Sequence, residues 1–377
     1  MKKTFQDLAC RQISGLLACL TTLSAMTGCG TSNEEQNVDV GNNVSVEAFV
    51  PKGLPARWSH IFAFTSDSIG YAATNVLRAD KYVISKTNDR GRTWERQYSA
   101  RGECIVLKAY EDKVYYSSER RMDSSVVKSE IGFIDNGRRK KILSDIKGKV
   151  YSMNVFNDST LTYTEDRHSR RKFGDDEEWS DSTYISIDTG KTWKALYTDL
   201  KQAEVFGYDS LNVYMTAYFG VPPAKWDCCW VVSDINTGSR KIYKTWYVFT
   251  AFVDDGLLMK DSMFYRCDDM KHISTYYWNG DGFMNSYGSY HAMYLAKSGE
   301  TALAYATQFP GKKNREACIF YSTDGGYTWR AFSIGRGLIR DGVHQLSAAK
   351  IPSEIGLSVI YQDLSDSLKI INILPIQ

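Results

Sequence analysis

The stretch Thr87-Asn88-Asp89-Arg90-Gly91-Arg92-Thr93-Trp94 recurs as Ser186-Ile187-Asp188-Thr189-Gly190-Lys191-Thr192-Trp193 and as Ser322-Thr323-Asp324-Gly325-Gly326-Tyr327-Thr328-Trp329. The shared pattern is [Ser/Thr]-x-Asp-x-Gly-x-Thr-Trp. Its chemistry is local: the aspartate accepts hydrogen bonds from turn backbone, the glycine permits a positive φ, and the tryptophan buries its ring between neighbouring sheets. We therefore read Asp89, Gly91, Trp94, Asp188, Gly190, Trp193, Asp324, Gly326 and Trp329 as structural. The three aspartates are 99 and 136 residues apart, which fits two and three periods of roughly 45 to 50 residues, a spacing typical of propellers and related arrays. Weaker copies fill the gaps at Asp135-Asn136-Gly137, Asn236-Thr237-Gly238 and Asp281-Gly282.

Working outward from the hairpins, each repeat begins with an alternating apolar stretch such as Trp58 to Phe64. A polar turn and a second strand, Gly70 to Ala73, follow. Strand, turn, strand, longer loop, strand, Asp-bearing turn, strand is one four-stranded propeller blade. After the sixth hairpin, segments 344–351, 355–361 and 368–374 supply three strands without a fourth, and Val44 to Val50 stands alone before the first repeat. The expected fold is all-β: a propeller over residues 44–377, with seven four-stranded blades closed by pairing of the N- and C-terminal segments. Six blades with an extra hairpin is the competing count.

The three hairpins resemble the Asp box of the sialidase-type, or BNR-repeat, β-propellers. For a sialidase the resemblance implies an arginine triad, a tyrosine nucleophile assisted by a glutamate, and an aspartate acid/base, with an Arg-Ile-Pro-type segment before the first box. The arginine-bearing stretches nearby, Ala56-Arg57-Trp58 among them, do not have that form, and the triad does not map residue by residue. The repeats also look like those of the photosystem II stability and assembly factor family, and sortilin-type receptor domains use such propellers too. Those resemblances imply a rigid ring that presents loops to a protein or a glycan.

The first 28 residues read as a secretory signal: Lys2, Lys3 and Arg11, then an apolar run from Ile13 to Met26, closing on Met26-Thr27-Gly28-Cys29. The run is too short to span a bilayer as a helix. A cysteine directly after the small residues resembles the lipobox of bacterial lipoproteins, which implies lipidation of Cys29. Residues 29–43, polar and acidic, read as the lipidated cysteine and a flexible tether. The expected location is the bacterial cell envelope, lipid-anchored, at the periplasmic or surface face of the outer membrane.

With 46 basic and 44 acidic residues the net charge is only +2, so no global field favours nucleic acid, and membrane contact is expected through the anchor alone. Export places Cys104, Cys228, Cys229, Cys267 and Cys318 in an oxidising space. The odd count leaves at least one thiol unpaired, and a bridge from the Cys228-Cys229 pair to Cys267 is one option. No metal-ligand spacing appears among the cysteines or His60, His168, His272, His291 and His344, so no metal and no cofactor is expected. The expected state is a monomer.

In a four-stranded blade the loop between strands two and three opens opposite the Asp-box turn. Length and charge concentrate in those loops: Glu119-Arg120-Arg121, Glu165 to Ser182, Gly220 to Trp230 and Gln308 to Glu316. Candidate binding residues are Arg120, Arg121, Arg167, Arg170, Arg171, Trp179, Trp226, Lys312 and Arg315, as a basic lip with aromatic platforms. Against this, basic and acidic runs in the long loop can neutralise each other as a solvated face. The function expected is an envelope-anchored scaffold that binds a protein or glycan partner. The alternative is a divergent exo-acting glycoside hydrolase, which needs two carboxylates about 5 to 10 Å apart.

Overall fold

The computed structural model describes residues 36–39, 44–55, 59–76, 79–121, 127–166, 181–219, 227–245, 252–254, 257–260, 263–266, 274–276, 290–308, 317–333, 344–351, 356–362 and 368–375. Their regular elements are β-strands, grouped as antiparallel up-and-down units. Blade one is β3 (Ser59–Phe64), β4 (Gly70–Val76), β5 (Lys81–Thr87) and β6 (Glu95–Arg101). Blade two is β7 (Glu103–Tyr110), β8 (Lys113–Arg121), β9 (Val127–Asp135) and β10 (Arg138–Ile146). In blades three and four, β11 (Lys149–Val155), β12 (Leu161–Asp166), β13 (Asp181–Ser186), β14 (Lys194–Tyr208), β15 (Asn212–Phe219), β16 (Asp227–Asp234) and β17 (Arg240–Thr245) form one run of seven. The long β14 pairs with β13 through Leu200 and with β15 from Lys201 onward, so it is both the outer strand of blade three and the inner strand of blade four.

Blade five is β18 (Phe252–Asp254), β19 (Leu257–Lys260), β20 (Met263–Arg266) and β21 (Ser274–Tyr276). Blade six is β22 (Tyr290–Ser298), β23 (Thr301–Gln308), β24 (Ala317–Ser322) and β25 (Arg330–Ser333). β26 (His344–Ile351), β27 (Gly356–Gln362) and β28 (Leu368–Pro375) make three strands of the seventh, and the fourth is β2 (Val44–Phe49), which pairs from Val44↔Pro375 to Phe49↔Ile370. The seven-blade count with terminal closure is the arrangement seen.

Two expectations shift. A further strand, β1 (Gln36–Asp39), pairs with β2, so regular structure begins inside the stretch read as tether. The outer edge of β2 offers unpaired backbone groups, and the polar Gln-Asn-Val-Asp segment suits a solvent-facing edge strand. In blade five the hairpin between β20 and β21 falls at residues 267–273, so Asp281-Gly282 comes after the fourth strand rather than before it. Both 267–273 and 281–282 lie outside the described residues.

Sequence explains which strand sits where in a blade. Second strands are covered on both faces, so they carry near-continuous small, aromatic and Thr/Ser side chains: Tyr71-Ala72-Ala73-Thr74, Val114-Tyr115-Tyr116-Ser117 and Ala302-Leu303-Ala304 are all buried. Outer strands such as β6 and β10 are charged and largely exposed. Between the sheets lie tyrosine-rich contacts: Tyr82 of blade one meets the ring of Tyr98 in its own blade and that of Tyr116 in blade two.

The three full Asp boxes are one structure repeated. The hydroxyl of Thr87, Ser186 or Ser322 donates to the aspartate Oδ1 at 2.7 to 2.8 Å. The backbone N–H and hydroxyl of Thr93, Thr192 or Thr328 donate to the two carboxylate oxygens at 2.5 to 2.9 Å. Each tryptophan Nε1 donates to the box glycine carbonyl at 2.7 to 3.0 Å. Hydrogen bonds from Thr192, then Ser186, hold the Asp188 carboxyl down at about 2. At Asp89 and Asp324, partial burial pushes upward but the threonine hydrogen bonds outweigh it, so both carboxyls lie below their usual range. Each aspartate is committed to its own turn, as the sequence reading expects. The boxes also grip the preceding blade. Gly91 lies under Ile370 of blade seven, and a side chain at Gly190 would stand 2.0 Å from Ile142 Cγ2 of blade two.

Closure is local to this device. Lys52 N–H donates to Arg92 O at 2.8 Å and Trp94 N–H donates to Lys52 O at 2.9 Å. Arg92 is ion-paired with Glu47 and stacks over the Phe49 ring, while Asn372 Nδ2 donates to Arg90 O at 3.1 Å. Phe49, Phe62, Phe64, Trp94, Leu368 and Ile370 form the apolar cluster at the seam.

Two stability measurements follow from these contacts. Gly190 and Gly238 both have positive φ, but nothing lies within 4 Å of a side chain at Gly238. In urea unfolding, Gly190→Ala is expected to cost about 2 to 4 kcal/mol, strain plus a clash, against about 1 kcal/mol for Gly238→Ala. Equal costs would mean that the box does not clamp the neighbouring blade. The second concerns His60, fully buried between Pro55 O and Thr74 Oγ1, each 3.0 Å from a ring nitrogen. Burial lowers its pKa to about 4, the hydrogen bond to Pro55 O opposing. The unfolded chain binds this proton near pH 6.5 and the folded chain does not, so stability is complete above that pH. About 3 kcal/mol is lost as pH falls toward 4. Thermal melts from pH 7 to 4 should show this slope, and His60→Gln should flatten it.

Candidate functional site

Up-and-down pairing puts the connection between second and third strands at the end of each blade opposite its outer hairpin. Blade three sends segment 167–180 out from the paired stems Asp166↔Asp181, and blade four sends 220–226 from Phe219↔Asp227. In blade two, Arg120 and Arg121 extend β8 past its buried part and are exposed, opposite Lys128 and Val127 on β9. Of the sequence-derived candidates, these two are therefore placed at an open strand end. Arg167, Arg170, Arg171, Trp179, Trp226, Lys312 and Arg315 lie outside the described residues, as does any bridge involving Cys228, Cys229 or Cys267. Cys104 is a buried free thiol, pushed well above the usual thiol range by burial.

Beneath those strand ends sits a set of acids that the sequence reading passed over. Strand alternation turns Glu119 of β8 toward blade three, on the side of Ser117, whose hydroxyl donates to Val150 O. From the other side, Glu165 of β12 turns toward blade two, beside Tyr163 in the core shared by those blades. Both are more than nine-tenths buried. Tyr184 OH donates to Glu165 Oε1 at 3.1 Å, and Lys149 Nζ lies 3.7 Å from Glu119 Oε2. The strands are held around them by Ser129, whose hydroxyl donates to Gly148 O at 2.7 Å. Gly148 has no room for a side chain: one would meet Asp166 O at 2.6 Å and Glu165 at 3.2 Å.

The opposite face of blade three carries a second group. Tyr151 OH donates to Asp181 Oδ2 at 2.7 Å and to Ala203 O of blade four at 3.1 Å. Burial first, then Asp181, raises the Tyr151 pKa far above the usual range, so this hydroxyl stays a donor. Tyr151 is the extra residue of a register shift between Val150 and Ser152, and like shifts occur near the start of the inner strands of blades two, four, six and seven. Such bulges re-aim a side chain out of the regular ladder. Glu204, on the inner half of β14, is exposed to solvent, yet protein crowding raises its carboxyl pKa, with Lys108 of the inner strand β7 opposing.

Chemically, this end of blades two to four offers carboxylates and tyrosine hydroxyls as fixed hydrogen-bonding groups, with Arg120 and Arg121 at its edge. Among the described residues, no group of three His, Cys, Asp or Glu side chains is placed to hold a metal ion. One signal in the sequence pointed here. The second strands of consecutive blades carry acids in their last few residues, Glu119 in β8 and Glu165-Asp166 in β12, where β4 and β15 carry Asn75-Val76 and Tyr218-Phe219.

Residues 320–331 match the family described as BNR/Asp-box repeat. No curated protein matches the chain by sequence. Among solved structures, oligogalacturonate lyase from Vibrio parahaemolyticus is similar at a TM-score of 0.57 and 10% identity, over 90% of this chain and 96% of that one. An oligogalacturonate lyase in complex with manganese gives 0.52 and 10%, over 91% and 96%. The β-propeller domain of the trilobed protease from Pyrococcus furiosus gives 0.49 and 11%, over 83% and 95%. At such identities the likeness of the two lyases is one of fold, and the strand order makes this chain an all-β propeller with a BNR/Asp-box repeat at residues 320–331.

Proposed function

We propose that the protein is an envelope-anchored lipoprotein, lipidated at Cys29, whose propeller binds a protein or glycan with the face opposite the Asp boxes. The observation that carries this reading is the contrast between the two ends of the blades. On the box end the aspartates are satisfied by their own turns. On the other end, exposed Arg120 and Arg121 adjoin buried Glu119, and two long segments rise from stems in blades three and four. Function on scaffold propellers resides on such ends, where loops vary over a rigid base.

A second reading, glycan cleavage, has one specific support: Glu204 holds its proton more tightly than an ordinary glutamate and neighbours the Tyr151–Asp181 pair. A carboxyl of that kind suits a general acid. Hydrolysis of a fluorogenic glycoside panel, lost in Glu204→Gln, would promote this reading over the first.

Site-specific photocrosslinking in cells tests the binding reading. A photoreactive residue at Arg121 is expected to give a discrete adduct, whereas one at Thr192 on the box end gives none. Adducts from both ends alike, or from Thr192 alone, would overturn the assignment of the face. Metabolic labelling with an alkyne fatty acid should mark the wild-type chain and fail for Cys29→Ala; label retained in that variant would refute lipidation at Cys29.

A further inference from the structure

We infer that the strand ends of blades one and two, opposite the Asp boxes, form a binding site for a linear acidic polysaccharide. The inference rests on the binding reading above and narrows its ligand from a protein or glycan to a carboxylate-bearing sugar chain. Cross-strand pairs of like charge carry it. At this end of blade one Lys81 stands directly opposite Arg101, and at the same end of blade two Arg120 stands directly opposite Lys128. Side chains so placed share a face about 5 Å apart, and like charges there destabilise the ladder. The two pairs adjoin, because Gly102, next to Arg101, packs on the backbone of β8: a side chain on it would collide with Glu119 O and stand 3.4 Å from Arg120 Cα. Lys147 joins them from the link between β10 and β11. It precedes Gly148, whose carbonyl accepts a hydrogen bond from Ser129, the residue after Lys128.

Lys128 is bridged to Asp145 at 2.8 Å. Among the described residues Lys81, Arg101, Arg120, Arg121 and Lys147 have no ion-pair partner, and all but Lys81 are exposed. The strands that carry or adjoin Arg101, Arg120, Lys128 and Lys147 lie side by side as β7, β8, β9 and β10, so open cations recur at steps of about 5 Å. Such a row suits a chain with charges at regular intervals, and the arginine forks suit carboxylates. Two further features choose a sugar chain. The exposed large apolar side chains among the described residues, Val50, Ile187, Leu211, Ile242 and Tyr327, all lie outside blades one and two, so a protein partner would lack the anchors that supply most interface energy. Exposed Asp80, whose carbonyl accepts from Gly102 N–H at 2.9 Å, and half-buried Glu103 stand among the cations. These acids repel a densely charged polymer but accept hydrogen bonds from hydroxyl groups, which a polysaccharide carries between its carboxylates.

The test titrates the full chain calorimetrically with alginate, with polyglutamate at equal carboxylate concentration, and with neutral dextran. Alginate is expected to bind about tenfold tighter than polyglutamate, with a steep loss on added salt, and dextran is expected not to bind. Affinity for alginate should fall about tenfold in the double variant Arg120→Gln, Arg121→Gln and about threefold in Lys147→Gln. It should hold in the double variant Arg138→Gln, Lys191→Gln, which removes as much charge from exposed positions on the box end. Thermal melts without ligand establish that each variant is folded. Absence of alginate binding would overturn the inference, as would equal losses in the two double variants, which mean diffuse attraction. Polyglutamate binding as tightly as alginate would also overturn it, in favour of an acidic protein segment. If Arg121 still crosslinks to a protein while alginate fails to bind, the polysaccharide site falls and the binding face stands. If alginate distinguishes the two double variants while cells yield adducts from Thr192 alone, the polysaccharide site stands and the protein partner belongs to the box end.

Discussion

Pairing of β2 with β28 is the constraint on which the rest of the ring depends. Each blade buries its second and third strands only by leaning on a neighbour, so an array of blades is complete only when the last meets the first. Without Val44–Phe49, blade seven would present the whole backbone edge of β28, an invitation to pair with another chain. The pairing spans most of the sequence, so the chain pays a loop-closure entropy cost late in folding. Packing at the seam offsets it. Glu47 and Phe49 on β2 engage Arg92, and Lys52 exchanges hydrogen bonds across Arg92 and Trp94. The first Asp box therefore does two jobs, turning its own blade and latching the closing strand.

The boxes show how a short sequence can specify a large architecture. Their hydrogen bonds lie within eight residues of chain and form without help from the rest of the fold, while the tryptophan and glycine project the turn onto the preceding blade. Gly190 approaches Ile142 of blade two and Gly91 leaves room for Ile370 of blade seven, while Trp193 meets Tyr163 of its own blade edge-on at 4.8 Å. Local chemistry thus sets the spacing between blades. That is why the repeat survives in a chain whose strands otherwise share little sequence.

The same logic explains what could be read in advance. Blade number and closure were legible because hairpins at a steady period and one unpaired strand at each end admit few solutions. The break between blades three and four was not. Nothing in Thr198 to Gln202 signals that β14 runs on from one blade into the next, because an extended crossover needs no glycine or proline. The fifth hairpin slipped because Asp281-Gly282 is a good turn by composition, and only the pairing of β20 with β21 puts the connection earlier in the chain. The edge strand β1 carries no apolar alternation, so its pairing with β2 had no hydrophobic signature to announce it. At the site, Arg120 and Arg121 were visible as charge. Glu119 and Glu165 were hidden, since a lone acid at a strand end looks solvated until the facing blade is in place.

The two ends of the blades therefore treat polar groups in opposite ways, and this asymmetry is itself an argument. A fold that could satisfy three partly exposed aspartates with several hydrogen bonds each has no general difficulty in pairing polar atoms. Glu119 Oε2 and Ser182 Oγ are left unsatisfied in the same molecule, at the end of the blades where the loops are longest. Replacing Glu119 by an apolar side chain of similar volume would remove that liability without disturbing the ladder, as cores elsewhere permit. Natural proteins break local rules of this kind chiefly at functional sites. Glu119 Oε2 and Ser182 Oγ thus single out the packing of blades two and three more sharply than the charged loops do, because a loop charge is met by bulk solvent and a buried oxygen needs a specific partner.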